Sequence, residues 1–214
     1  MGKIATKPFA ESHKMNTITA IFDLGNVMVY FDYGHLVHKL AYNYDLKESF
    51  IYQQKAQLEN ILKGFENGEI SPEIFTHKVS SALNRKLEIA EFKKIWSEIF
   101  TENVEVTEIV RELKGKARLL AMSNTDTWHF EYLAENFNFL ELFDDVILSF
   151  RLGYGKPDKR IFERAIELSQ GSTQILYFDD IPEYVVEAKK LGINAFQFTD
   201  ENQLRLILRN VRLL

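Results

Sequence analysis

With 214 residues, no cysteine and a formal charge of -5 at neutral pH, the chain is long enough for one large domain or for a core with a smaller insert. The missing cysteines exclude disulfides, thiolate chemistry and a zinc ribbon, and a mildly acidic balance without a basic run argues against a nucleic-acid partner. Hydrophobic residues at 46% and charged ones at 27% match an ordinary globular chain; no window approaches the roughly 18 apolar residues of a membrane span and the start has no apolar signal core, so no membrane partner and a cytoplasmic location are expected.

Residues 1–15, with Lys3, Lys7, Pro8, Glu11 and Lys14, show no period and read as a loose tail in which Met15 is an alternative start. Ile18, Ala20, Ile21 and Phe22 form a short apolar run that reads as a buried strand. It ends in an acid, Asp23, followed by Gly25 and Asn26, which tolerate left-handed angles and let the chain turn beneath the carboxylate. Val27 to Phe31 is apolar enough for a short hairpin or flap over the strand end, and Asp32 is a hinge. From there to about Phe100 the periods are helical. Leu36 pairs with Leu40 and Val37 with Ala41 at i, i+4, and a Gln-rich helix through Gln53, Gln54 and Gln57 closes at Ile61 and Leu62. Ser71-Pro72 starts the next helix, the serine as N-cap and the proline preset for the first turn. Phe75, Val79 and Leu83 share its face, and Ile89, Phe92, Ile95, Trp96 and Ile99 form another stripe.

Beyond Phe100 the pattern alternates. A helix through Val106, Ile109, Val110 and Leu113 stops at Gly115, and the strand Ala117 to Met122 ends in Ser123-Asn124-Thr125. There follow a helix over Thr127 to Asn136, the strand Val146 to Phe150, a loop from Arg151 to Pro157, and a helix carrying Ile161, Phe162, Ala165 and Ile166. The strand Gln174 to Phe178 ends in Asp179-Asp180; a helix over Glu183 to Leu191, the strand Ile193 to Phe198 and a closing helix with Leu204, Ile207, Leu208 and Val211 complete the chain. Strands alternating with helices imply right-handed crossovers and a parallel sheet covered on both faces. The expected fold is therefore α/β: a Rossmann-like three-layer core of residues 16–31 and 101–214, with an inserted helical cap, residues 32–100, of four or five helices.

In open parallel sheets ligands bind at the carboxyl ends of the strands. Those ends would gather Asp23, Ser123 with Asn124, Lys156 on its loop, and Asp179 with Asp180. Each has a plain alternative: Ser-Asn-Thr caps a helix, Asp179-Asp180 makes an exposed turn, and a lone Lys156 is a surface residue. Together they suit phosphoryl transfer, with a carboxylate nucleophile, a hydroxyl and backbone N–H groups for phosphate oxygens, and an ammonium for developing charge. Carboxylates around one anionic pocket also call for a hard cation, and Mg²⁺ fits.

In order and separation these segments resemble the haloacid dehalogenase-like hydrolase superfamily, most members of which are phosphatases. Ile21-Phe22-Asp23-Leu24-Gly25-Asn26-Val27 is similar to its first motif and Ser123-Asn124-Thr125 to its second. Gly153 to Asp158, with Ile161-Phe162, is similar to the third, and Phe178-Asp179-Asp180 to the fourth. The resemblance implies that Asp23 is a nucleophile that becomes an aspartyl phosphate, that Ser123 and the Asn124 backbone bind phosphate, and that Lys156 stabilises its charge. It implies Mg²⁺ held by Asp23, the Gly25 carbonyl and Asp179, with Asp180 acting through a water on the ion, and a cap that closes over the substrate.

One departure matters. The superfamily's general acid and base, an Asp two residues after the nucleophile, is Gly25 here, and such help is typically about 10²- to 10⁴-fold. The Asp-Leu-Gly-Asn-Val variant resembles a subgroup that includes bacterial glucose-1-phosphate phosphatases, whose anomeric leaving group needs a proton less. His129, after the second motif, is a candidate acid, since an imidazole can donate a proton at neutral pH, with a helix-surface residue or a substrate contact as the plainer readings. The expected activity is thus hydrolysis of a small phosphorylated metabolite, a sugar phosphate foremost. The alternatives are a weakly active or inactive homologue that binds phosphate or a protein, and a haloacid dehalogenase. The sequence leaves the oligomeric state open.

Overall fold

The computed structural model describes residues 18–214; the tail expected over residues 1–15 lies outside the described residues. The core is one five-stranded parallel sheet in the order β5-β4-β1-β6-β7. These strands are β1 (Ile18–Phe22), β4 (Arg118–Ser123), β5 (Asp145–Leu148), β6 (Gln174–Asp179) and β7 (Asn194–Gln197). β1 lies at the centre, and from Thr19 to Phe22 it is fully buried, as a strand covered on both faces must be. Its alternate residues enter different cores. Ala20 and Phe22 meet Val106, Ile109 and Val110 of α6 (Val104–Glu112) and Leu204 and Leu208 of α11 (Glu201–Asn210). Ile21 meets the opposite layer, α9 (Lys159–Leu168) and α10 (Pro182–Lys190).

Two-residue periodicity in the strands thus specifies a three-layer sandwich. It also aligns the strand ends. β1 pairs Phe22 with Ala121 on one side and with Phe178 on the other, so Asp23 leaves the sheet beside Ser123 and Asp179.

Between β2 (Val29–Phe31) and β3 (Phe100–Glu102) lie five helices: α1 (Tyr33–Asn43), α2 (Glu48–Gln53), α3 (Lys55–Glu66), α4 (Pro72–Leu83) and α5 (Ile89–Ser97). They share a core of their own, including Leu36, Leu40, Phe65, Phe75, Val79 and Phe92. Trp128, from α7 (Thr127–Asn136) of the α/β unit, inserts into that core and meets the Phe65, Phe75 and Phe92 rings at 5.4 to 5.9 Å. Ser71 Oγ accepts from the Ile74 N–H with Pro72 at the first turn, the cap expected from sequence.

Several expectations are corrected. Val27 to Phe31 is not a hairpin: β2 pairs antiparallel with β3, so the chain entering the insert is stapled to the chain leaving it. The Gln-rich helix is two helices broken at Gln54. β5 stops at Leu148, and Ser149 and Phe150 begin a short helix, α8 (Ser149–Leu152), that carries contacts to the insert. Asp32 is more than a hinge, since its side chain accepts from the His35 N–H as N-cap of α1.

Candidate active site

Asp23, Lys156 and Asp179 are brought together in a buried group. Lys156 Nζ lies 2.8 Å from Asp23 Oδ1 and 2.7 Å from Asp179 Oδ2, and it donates to the Met122 carbonyl at 3.3 Å. The lysine is 4% exposed and Asp179 not at all. Asp23 Oδ1 also accepts the Leu24 N–H at 2.7 Å, while Asp179 accepts from the Ile181 N–H at 2.8 Å and from the Tyr177 hydroxyl. Asp180 sits beside them, fixed by Asn26 Nδ2 at 2.9 Å. Oxygens of Asp23, Asp179 and Asp180 all lie within 4.8 Å of one another.

Burial pushes the Asp23 carboxyl up to about 7; Lys156 opposes that shift and Asp179 adds to it. Burial alone would lower the Lys156 ammonium, but the two carboxylates hold it above its ordinary value. With all groups ionised, three carboxylates against one ammonium leave two negative charges in a confined space, which a divalent, oxygen-preferring cation would neutralise. The donor set therefore fits Mg²⁺.

Ser123 ends β4 with its hydroxyl 3.3 Å from the Asn124 carbonyl. The Asn124 side chain has another task than ligand contact. Its Oδ1 accepts the Lys156 N–H at 2.7 Å and its Nδ2 donates to the Lys156 carbonyl at 2.8 Å, which locks the lysine loop to the end of β4. Gly155 allows this approach, because a Cβ there would lie 2.4 Å from Asn124 Oδ1.

Asn26, at φ 53°, makes the left-handed turn after Asp23, whereas Gly25 has no positive φ. What Gly25 supplies is space: a Cβ would lie 3.0 Å from Phe31 Cε1, on a ring that packs against Tyr33 and Phe100. Gly25→Asp is accordingly expected to cost about 1–3 kcal/mol of overpacking, read as a lower melting temperature that a Phe31→Leu companion change relieves.

His129 is not a free acid. It is buried, with Nδ1 3.0 Å from Asp126 Oδ2, Nε2 3.0 Å from the Trp96 carbonyl, and its ring stacked on Trp96 at 5.1 Å. Burial alone would lower the His129 pKa, but Asp126 and the Trp96 carbonyl raise it above 6.5. Both ring nitrogens are thus engaged by partners inside the protein, and the pair, joined by Trp96 Nε1 on Asp126 at 3.0 Å, ties α7 to α5. A raised folded-state pKa gives stability that is full below about pH 6.5 and is lost as pH rises through the folded value. The stability advantage of wild type over His129→Phe should therefore be largest below about pH 6.5 and shrink as pH rises above it, read by denaturant titration across pH.

Two cavities bear on function. The larger, about 510 Å³, is apolar and lies among α1 to α5. The smaller, about 50 Å³, adjoins the acids and is lined by Leu24, Gly25, Ser123, Asn124 and Thr125 from the core and by Tyr33 and Glu66 from the insert. The smaller one bears on the acids because Leu24 and Gly25 follow Asp23 in the chain and Ser123 ends the neighbouring strand β4. Sequence reasoning missed Glu66, Tyr177 and Asp126, and it gave no role to Tyr184, which stands where an Asn is common after the fourth motif. The Tyr184 ring, in the first turn of α10, lies 5.2 Å from Lys156 Nζ.

A profile of haloacid dehalogenase-like hydrolases matches residues 19–192. The chain belongs to this hydrolase family. It is 25% identical over 185 residues to the D-ribitol-5-phosphate phosphatase of Bacteroides thetaiotaomicron, covering 83% of this chain and 89% of that one. A HAD family enzyme of the same organism, solved with magnesium and inorganic phosphate, superposes with a TM-score of 0.76 at 20% identity, covering 87% of this chain and 98% of that one. A HAD-like family hydrolase of Porphyromonas gingivalis gives a TM-score of 0.74 at 22% identity over 92% and 98% of the two chains. Among the described residues no helix is long and apolar enough to cross a membrane.

Proposed function

We propose that this family member is a magnesium-dependent phosphatase that hydrolyses a small phosphorylated sugar or polyol through an aspartyl-phosphate on Asp23. The convergence of Asp23, Asp179 and Asp180 oxygens within 4.8 Å, bridged by Lys156, carries this reading.

Asp23 is held for attack: the Leu24 N–H and Lys156 both engage Oδ1, leaving Oδ2 for phosphorus. Lys156 neutralises charge on the phosphoryl oxygens, and Ser123 Oγ with the Asn124 N–H holds them. Asp23, Asp179 and the Gly25 carbonyl would hold Mg²⁺, with Asp180 one water further out. The ion supplies charge neutralisation and orients the phosphoryl group. Residues 32–100 serve as the cap that shields the site from water.

The substrate class rests on the Bacteroides relative, whose name specifies a polyol phosphate. A glucose-1-phosphate specificity finds no separate support in that name. A metal-free dehalogenase is disfavoured by the paired acids, which without a cation would repel an anionic substrate.

The test is a panel of phosphorylated sugars and polyols assayed with Mg²⁺ and with chelator, alongside thermal melting. Turnover should need Mg²⁺, and at 100 times its dissociation constant the ion should stabilise the fold by about 2.7 kcal/mol. Slow turnover of every ester, with that stabilisation intact, would instead favour a phosphate-binding homologue.

A further inference from the structure

We infer that Glu66, at the C-terminal end of α3, is the general acid that protonates the departing alcohol and then the base that activates water, the task Gly25 leaves vacant. This rests on the phosphatase reading above. Nothing in its local sequence marks Glu66, since Phe65-Glu66-Asn67-Gly68 reads as an ordinary surface turn ending a helix. Tertiary packing changes its meaning, because Glu66 lines the small cavity together with Gly25, Ser123, Asn124 and Thr125. It is thus a carboxyl supplied by the insert to the same space in which the family's missing acid would act.

Its position is fixed by the core. Ser149 Oγ donates to the Glu66 carbonyl at 2.5 Å and accepts the Thr125 N–H at 3.0 Å. One fully buried hydroxyl therefore joins the end of α3 to the loop after β4. Two residues on, Gly68 takes left-handed angles (φ 67°), and a Cβ there would lie 2.2 Å from the Phe150 carbonyl oxygen. Only glycine lets this turn seat so closely on α8. Glu66 is held to the core at two points, as a group that must meet a leaving oxygen needs to be.

Its carboxyl is uncommitted: it makes no hydrogen bond or ion pair among the described residues. The other candidates are spent. His129 has both ring nitrogens engaged by Asp126 and the Trp96 carbonyl, Asp180 is held by Asn26, and the Tyr177 hydroxyl is on Asp179. The ionisable groups that act on Glu66 are Asp126 and His129 at the start of α7 and Lys156 on its loop, and Glu66 acts in turn on Tyr33 of α1 and Tyr184 of α10. Burial first, and then Asp126, push its carboxyl up to about 7, with His129 and Lys156 opposing. Both protonation states are then populated near neutral pH, as one group acting as acid and then as base requires.

The steps balance. As the Asp23 oxygen bonds to phosphorus, the bond to the ester oxygen breaks and that oxygen takes the Glu66 proton, leaving a free alcohol and a Glu66 carboxylate. Water then gives a proton to Glu66 while its oxygen attacks phosphorus, releasing inorganic phosphate and the Asp23 carboxylate.

The experiment compares wild type with Glu66→Gln, both with saturating Mg²⁺, on an alkyl phosphate and on p-nitrophenyl phosphate, whose leaving group needs no proton. Glu66→Gln should lose about 10²- to 10⁴-fold in kcat/KM on the alkyl ester and little on the aryl ester. On the aryl ester the variant should also show a burst of nitrophenol, because its phosphoenzyme hydrolyses slowly. In wild type, kcat/KM for the alkyl ester should fall above about pH 7 while that for the aryl ester does not; this readout stands even if the variant fails to fold. Equal losses on both esters, no loss, or identical wild-type pH profiles for the two would overturn the assignment and leave the phosphatase reading intact. A wild type that hydrolyses neither ester with Mg²⁺ would overturn both.

Discussion

Asp23→Asn is expected to lower turnover by on the order of 10⁶-fold, the scale on which removing a nucleophile is felt, while the protein stays folded. The asymmetry follows from what surrounds the side chain. Oδ1 is an acceptor for the Leu24 N–H and for Lys156 at 2.7 and 2.8 Å, and an amide oxygen of the same shape can accept both. An amide does not form an acyl phosphate, so chemistry stops where packing does not. Circular dichroism should be unchanged, with melting within about 5 °C of wild type, a shift of roughly 1–2 kcal/mol for a chain of this size. Activity that survived the change would remove Asp23 from its role.

Lys156→Ala is expected to harm both stability and catalysis. The ammonium is 4% exposed and lies between two buried carboxylates. Deleting one partner of such a group leaves uncompensated charge, a cost of about 3–5 kcal/mol. For 214 residues that corresponds to a fall of roughly 6–20 °C in melting temperature. Mg²⁺ should recover part of the loss, since it replaces a positive charge at the same carboxylates. Turnover should fall a further 10²- to 10³-fold or so, measured well below the variant's melting point, as when one donor to a developing oxyanion is lost. Lys156→Arg should not restore activity, because the planar guanidinium cannot occupy a slot shaped for a single ammonium between Asp23, Asp179 and the Met122 carbonyl. A Lys156→Ala protein as stable as wild type in chelator would contradict the charge accounting.

The core was legible where local pattern and tertiary role agree. Ile18, Ala20, Ile21 and Phe22 are apolar because they are buried on both faces, and Asp23 is polar where the strand ends. The same logic located Ser123 and Asp179 at their strand ends. It failed where one pattern serves two structures. Apolar spacing runs unbroken across Gln54, which hides the break between α2 and α3 there, and Phe150 continues the apolar run of β5 although the chain has already turned into α8. β3 is three residues long and pairs with a strand some seventy residues earlier, so nothing within it announces a ladder.

The site divided in the same way. Residues at strand ends were readable because the sheet fixes their place. Glu66, Asp126 and Tyr177 were not, because their roles come from neighbours distant in sequence: Ser149 for Glu66, Trp96 and His129 for Asp126, and Lys156 for the acid that Tyr177 meets. His129 was misread for the opposite reason. Its place after the second motif suggested exposure to substrate, but aromatic packing with Trp96 and Phe100 takes it into the core.

The most direct test of a covalent route is to quench the magnesium-loaded enzyme with acid during turnover of a hydrolysed ester and map the protein by mass spectrometry. The peptide carrying Asp23 should gain the mass of one phosphoryl group, labile to hydroxylamine as an acyl phosphate is, and the gain should vanish in Asp23→Asn. Turnover with phosphate found on another residue, or with no covalent adduct on Asp23 at any quench time, would contradict it.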